Sequence, residues 1–292
     1  MQKTDQDTPS NSRSIEEFST YDSYKEPIEP IKNNWWLFYI LLTGTLITTI
    51  LAGGFLFSIS LMLILGAHEF GHYWASKKNG VKATLPYFIP APPPFIAGTF
   101  GAFIQIKQKI PNRKVLMEIG ASGPIAGFLV ALPALILGLY LSSVSPSTGM
   151  GGVNFGNSII LYVCSKFVLG VDPSSPFINI HLHPIAFAGW IGMLVTSFNL
   201  MPVGQLDGGH IIFALNSRNH RFIGKLFFIS LFPLGYFWPG WFFWALMIFF
   251  MGFKTAPLLE GLEELNLIHK FLGVISIIIF FLTFIPIPFS EI

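Results

Sequence analysis

The sequence predicts an all-α polytopic membrane protein of about seven spans, within a range of six to eight, with one short re-entrant β-hairpin or strand. Three observations carry this. Only 11% of the 292 residues are charged and 52% are hydrophobic, whereas soluble domains carry roughly 25% charged residues. Apolar runs long enough for helical spans recur along the chain. Lys and Arg fall almost wholly on one side of the topology that these runs generate.

The elements follow in order. Residues 1–33 are polar, rich in Ser, Thr, Asp and Glu, and lack the apolar core of a signal peptide. They are expected to form a disordered cytosolic tail; their acidic residues argue against a transit peptide. The first apolar run is Trp35 to Phe57, opened by the interfacial pair Trp35-Trp36. Gly53-Gly54 marks a turn, and a second run covers Phe57 to Ser76 before Lys77-Lys78. Segment 79–112 contains Pro86, Pro90, Pro92, Pro93 and Pro94, which exclude a regular helix. Its later part, residues 98–106, alternates weakly and predicts a strand or hairpin. A third helix is expected over 113–142, with a kink at Pro133. Residues 143–183 form a loop around one semi-apolar stretch, Ile159 to Leu169. A fourth helix runs from about Pro184 to Leu200. Residues 222–238, 241–253 and 271–285 supply three shorter spans, which can be tilted or partly inserted.

With the N-terminus inside and spans alternating, all of the 17 basic residues except Lys166 lie on the inner side. This follows the positive-inside rule and supports seven spans with a cytosolic N-terminus in the cell (inner) membrane. The net charge of +2 gives no case for nucleic acid. With Cys164 as the sole cysteine there is no intrachain disulfide, and a metal site must be built from His and carboxylate.

The second run carries His68-Glu69-Phe70-Gly71-His72. On a helix His68 and His72 share one face and can hold one metal ion. Neutral imidazole suits zinc, and Glu69 can take a proton from a water beside it. The bland alternative is a satisfied polar cluster between helices, but three ionisable residues in five are costly inside a membrane. His72 lies five residues before Lys77, which puts the pair roughly 8–13 Å below the inner surface. Of the five aspartates, only Asp207 falls at a similar depth on the same side. It would complete a two-His, one-acid site with one Zn2+ per chain; alternatively it caps a helix beginning near Gly208. Asn199 suits either a hydrogen bond to a polarised peptide carbonyl or a bond between helices. His210 reads as a residue behind the ligands or an inner-surface histidine, and His181, His183, His220 and His269 as loop residues. Glu118 is expected to pair with Arg113 or Lys114. Gly120-Ala121-Ser122-Gly123-Pro124-Ile125-Ala126-Gly127 allows close approach of the third helix to the metal helix.

Three patterns coincide: H-E-x-x-H on a membrane helix, G-x-x-G-P at Gly120–Pro124, and N-x-x-P-x-x-x-L-D-G-G from Asn199 to Gly209. Together they resemble the site-2 protease family of intramembrane zinc metalloproteases, over about residues 57–210. The resemblance implies His68, His72 and Asp207 as zinc ligands, Glu69 as general base and Asn199 as a supporting catalytic residue. It implies that 98–106 is a re-entrant strand that holds unwound substrate, through Gly98, Phe100, Gly101 and Phe103. It implies cleavage of single-span membrane proteins within the bilayer. No gap in the chain is long enough for a PDZ domain. Residues 34–210 would then be the protease core and 211–292 C-terminal spans. A metal-ion transporter using His68, His72 and Asp207, or a non-catalytic membrane scaffold, are the alternatives.

Overall fold

The computed structural model describes residues 34–106, 108–147, 153–253, 258–259 and 264–291; the expected tail at 1–33 lies outside them. The described residues form one compact unit. Among the described residues it contains eight α-helices and three two-stranded antiparallel sheets.

The first helix, α1, spans Trp35–Lys78. The two apolar runs expected on either side of Gly53-Gly54 are its two halves, broken at Gly54, whose φ of 82° is left-handed. Asn34 caps the start, and Asn79 caps the end beside Lys77 and Lys78. Strands β1 (Tyr87–Pro90) and β2 (Thr99–Phe103) form a hairpin with a register shift after Ile89. The strand expected within 98–106 is therefore present. Its partner lies in the proline-rich stretch, where Pro90 sits at the strand end and needs no ladder donor.

Helix α2 runs Arg113–Tyr140, includes Pro124 and Pro133, and is capped by Asn112, whose side chain accepts from Lys114 and Val115. Strands β3 (Ser143–Pro146) and β4 (Val153–Phe155) precede α3, Ile159–Leu169, which matches the expected semi-apolar stretch. Strand β5 (Ile178–His181) pairs with β3. Helix α4 covers Pro184–Asn199, with Pro184 at its first position. A short helix, α5, covers Asp207–Leu215. The C-terminal part holds α6 (His220–Phe237), α7 (Gly240–Met251), α8 (Leu267–Thr283) and β6 (Phe289–Glu291), which pairs with β4.

Two of these helices, α1 and α2, are long and apolar enough to cross a membrane. Their most apolar windows are only 28% and 39% buried. A core helix of a soluble protein would hide that surface, whereas lipid solvates it. Exposed Phe70, Trp74, Leu129 and Leu137 illustrate the outward faces.

The core lies where the second half of α1 meets α2 and α4. Phe57, Leu61, Ile64, Leu135, Leu139, Trp190 and Met193 are buried together there. Small residues set the spacing. A Cβ on Gly71 would fall 2.4 Å from the Ser122 carbonyl oxygen, and one on Gly138 would fall 2.0 Å from the Ala186 nitrogen. Apolar tails solvate Leu as well as a partner helix does, so close backbone approach is what associates these helices. The same packing brings the C-terminal end of α4 and the start of α5 against the H-E-x-x-H turn of α1.

Candidate metal centre

His68, Glu69 and His72 sit within α1, and all three are buried. Leu200 to Leu206 leave helical geometry between α4 and α5, and this break turns Asp207 back toward them. Asp207 is the first residue of α5, and Leu206 occupies the cap position without a side-chain cap bond. The alternative role of Asp207 as a helix cap is thus not what its side chain does. Its Oδ2 lies 3.3 Å from His68 Nε2 and 3.2 Å from His72 Nε2. The two Nε2 atoms are 3.1 Å apart.

The tautomer of His72 follows from its other nitrogen. Nδ1 lies 2.7 Å from the Ile119 carbonyl oxygen, which can only accept. Nδ1 therefore carries the hydrogen, and neutral His72 presents a bare Nε2 to the carboxylate. Nε2 and Oδ2 at 3.2 Å are held by a positive charge, which either a second proton on His72 or a metal ion supplies. The three donors form a nearly equilateral triangle. Tetrahedral zinc with bonds of about 2.0–2.1 Å has ligand atoms ~3.3–3.4 Å apart, so the triangle has the size of one face of that tetrahedron. The residues present fit the ion.

Glycines make room for the rings. A Cβ on Gly123 would lie 2.1 Å from His72 Nε2, and one on Gly127 would lie 3.1 Å from His68 Nδ1. The small-residue stretch thus packs on the imidazoles as well as on the metal helix. Asn199 Nδ2 lies 3.5 Å from His68 Nε2, at the last position of α4. A cavity of about 720 Å³ opens onto the triad, and Glu69, Asn199, His210 and Gln205 face it.

One wall of the cavity is the chain leaving the hairpin, with Ala102, Phe103 and Ile104. Ile104 lines the same cavity as Glu69. No third strand pairs with β2 among the described residues. Of the four residues expected to hold substrate, the structure brings Phe103 to the cavity. Phe100 is exposed and packs edge-on against Phe95. Gly101 is buried opposite Ile89, and the Gly98 carbonyl accepts from Thr48 Oγ1 at 2.6 Å. Ala102 and Ile104 fall within the expected 98–106 strand and line the cavity; sequence reasoning missed Ile119, whose backbone carbonyl faces His72 Nδ1 and leaves no side-chain signal.

Glu118 does not pair with Arg113, which donates instead to the Ala214 carbonyl at the end of α5. Glu118 bonds Lys78, Asn79 and His269 from other parts of the chain. Of the histidines expected in loops, His269 lies in the first turn of α8 and is buried. His183 caps α4 and His220 opens α6.

Residues 56–232 match the model of peptidase family M50. The stretch holds every residue of the triad, Glu69 and Asn199. A probable zinc metalloprotease, EGY2, chloroplastic, of Arabidopsis thaliana is 33% identical over 236 residues, 78% of this chain and 41% of the relative. The probable zinc metalloprotease EGY1, chloroplastic, of Oryza sativa subsp. japonica is 35% identical over 172 residues, 58% of this chain and 29% of the relative. The chain thus spans about two fifths or less of the length of these curated relatives. No solved structure matches. On the family match and the relatives together, the chain belongs to peptidase family M50, the site-2 protease family.

Proposed function

We propose that this chain is an intramembrane zinc metalloendopeptidase that cleaves single-span membrane proteins. The observation that carries the reading is the donor triangle of 3.1–3.3 Å made by His68, His72 and Asp207 next to Glu69. His68 and His72 through Nε2, and Asp207 through Oδ2, would hold the ion. Bound there, zinc supplies a Lewis acid that makes a neighbouring water acidic and polarises a peptide carbonyl.

The remaining work falls to the chain's own groups. Glu69 takes the proton of the attacking water on its carboxylate and returns it to the leaving amine nitrogen. Asn199 Nδ2 donates to the carbonyl oxygen as it gains charge. Its place beside His68 puts it within the site, and the same contact joins α4 to α1. Substrate unwinds and adds to the free edge of β2, with Phe103 against its side chains. An extended strand exposes its carbonyls, which a helix would keep bonded.

Seven spans with an inside N-terminus accommodate this scheme. The inner ends of α1 and α2 and the start of α5 then meet at one depth. Lys109 and Gln108 line the same cavity, which supports a mouth on the basic inner side through which water enters. Residues 34–210 act as the core and 211–292 as supporting spans, with no PDZ domain to filter substrates. The cell membrane is the expected location; the relatives are described as chloroplastic. The reading is tested by cleavage of a generic single-span substrate in detergent. Glu69→Gln should retain zinc and lose cleavage. Undiminished cleavage by that variant would remove Glu69 from the chemistry.

A further inference from the structure

The family match ends at residue 232, yet the metal-facing histidine is braced from farther along the chain. His72 is oriented by the Ile119 carbonyl at 2.7 Å. The preceding residue, Glu118, spends both carboxylate oxygens on other elements. Its Oε2 accepts from Lys78 Nζ at 3.1 Å and from Asn79 Nδ2 at 2.9 Å, at the C-terminal end of the helix that bears His68 and His72. Its Oε1 lies 3.2 Å from His269 Nε2, in the first turn of α8. His269 is 7% exposed, and its Nδ1 is held by the side chain of Asn266, the α8 cap. One carboxylate therefore joins the metal helix, the helix that carries the acceptor for His72, and a helix outside the family match.

We propose that Glu118, clamped by His269, is a positioning residue for the metal site. It fixes the height of α2 along α1, so that the Ile119 carbonyl stays in line with His72 Nδ1 and Nε2 faces the other two donors. The margin is small. Sliding α2 by about 1 Å would stretch a good hydrogen bond beyond the ~3.2 Å at which N–H···O contacts hold, and one helical residue is already 1.5 Å of rise. The three partners do not contribute equally. The Lys78 side chain is 54% exposed, and exposed ion pairs contribute little. The buried His269 and the half-buried Asn79 carry the clamp. Partners behind metal-bound histidines typically change metal affinity 10–100-fold when removed. The inference rests on the zinc reading of the site, and it extends the functional unit to α8.

The test uses the full chain in detergent, loaded with zinc, and reads zinc transfer to a chelator together with the visible spectrum of the Co2+-substituted protein. Glu118→Ala and His269→Phe should each release zinc about ten-fold faster or more, and both should shift the Co2+ bands. The double variant should be no worse than the worse single variant, because the two residues act through one contact. Lys78→Met should stay within about two-fold of wild type. Release rates near wild type in both single variants would overturn the inference, as would additive effects in the double variant. Faster release with unchanged Co2+ bands and a lowered thermal midpoint would reduce Glu118 to a structural role and overturn it too. Wild-type chain that binds no zinc would overturn the metal reading and this inference with it. Zinc binding that ignores Glu118 and His269 would overturn the inference alone.

Discussion

Gly123 and His72 compete for the same space: a Cβ on residue 123 would lie 2.1 Å from His72 Nε2, the atom that faces Asp207. Helix α2 therefore reaches the metal helix only because residue 123 has no side chain. Gly123→Ala must push the imidazole out of the donor triangle or part the two helices. Overpacking of this kind typically costs about 1–3 kcal/mol, and here it falls on a ligand. We expect zinc affinity to drop at least about ten-fold and cleavage to drop with it. Gly66→Ala, where an added Cβ meets nothing within 4 Å, should leave both unchanged. Zinc titration of the two variants side by side checks this.

Asn199 is predicted to act after metal binding. Its Nδ2 lies near His68 Nε2 but is not one of the three donors. Asn199→Ala should keep about one zinc per chain and lower kcat by about 10²-fold, the loss typical of one oxyanion donor. KM should change little. Kinetics on a single-span substrate check the split. Loss of zinc in parallel with activity would instead assign Asn199 to holding the ligands in place.

The hairpin is tied to the first half of α1 at Gly98. Gly98 has φ of 64°, and a Cβ there would lie 2.5 Å from the Thr48 carbonyl oxygen, while Thr48 Oγ1 donates to the Gly98 carbonyl. Thr48→Val removes that bond at a cost of about 1 kcal/mol. Gly98→Ala adds both strain and a clash. Both should loosen β2 and raise KM with zinc content intact, Gly98→Ala by the larger factor. Substrate titration, with metal analysis on the same samples, checks the order.

The metal helix was legible because i and i+4 spacing alone places His68 and His72 on one face. Asp207 was legible by elimination, since the other four aspartates lie in the N-terminal 33 residues or in the loop expected over 143–183. The helices were legible from their apolar runs, down to Ile159–Leu169. What failed to show was whatever depends on backbone position or on long-range partners. Strand β1 hides in a proline-rich stretch whose composition only excludes helix. The Ile119 carbonyl has no residue-type signature. Glu118 was read toward its neighbours in sequence, but Arg113 bonds the Ala214 carbonyl and Glu118 reaches Lys78 and His269, 40 and 151 residues away. The glycines at 123 and 127 gave the right inference of close packing but not what they pack on, because helix periodicity cannot say which face meets the imidazoles.

The central claim is that His68, His72 and Asp207 hold one zinc ion together. The most direct measurement is zinc content per chain on purified wild type and Asp207→Ala, with cleavage measured on the same samples. The account predicts about one zinc per wild-type chain, lost in Asp207→Ala together with cleavage. A full complement of zinc in Asp207→Ala, or none in wild type, would contradict it.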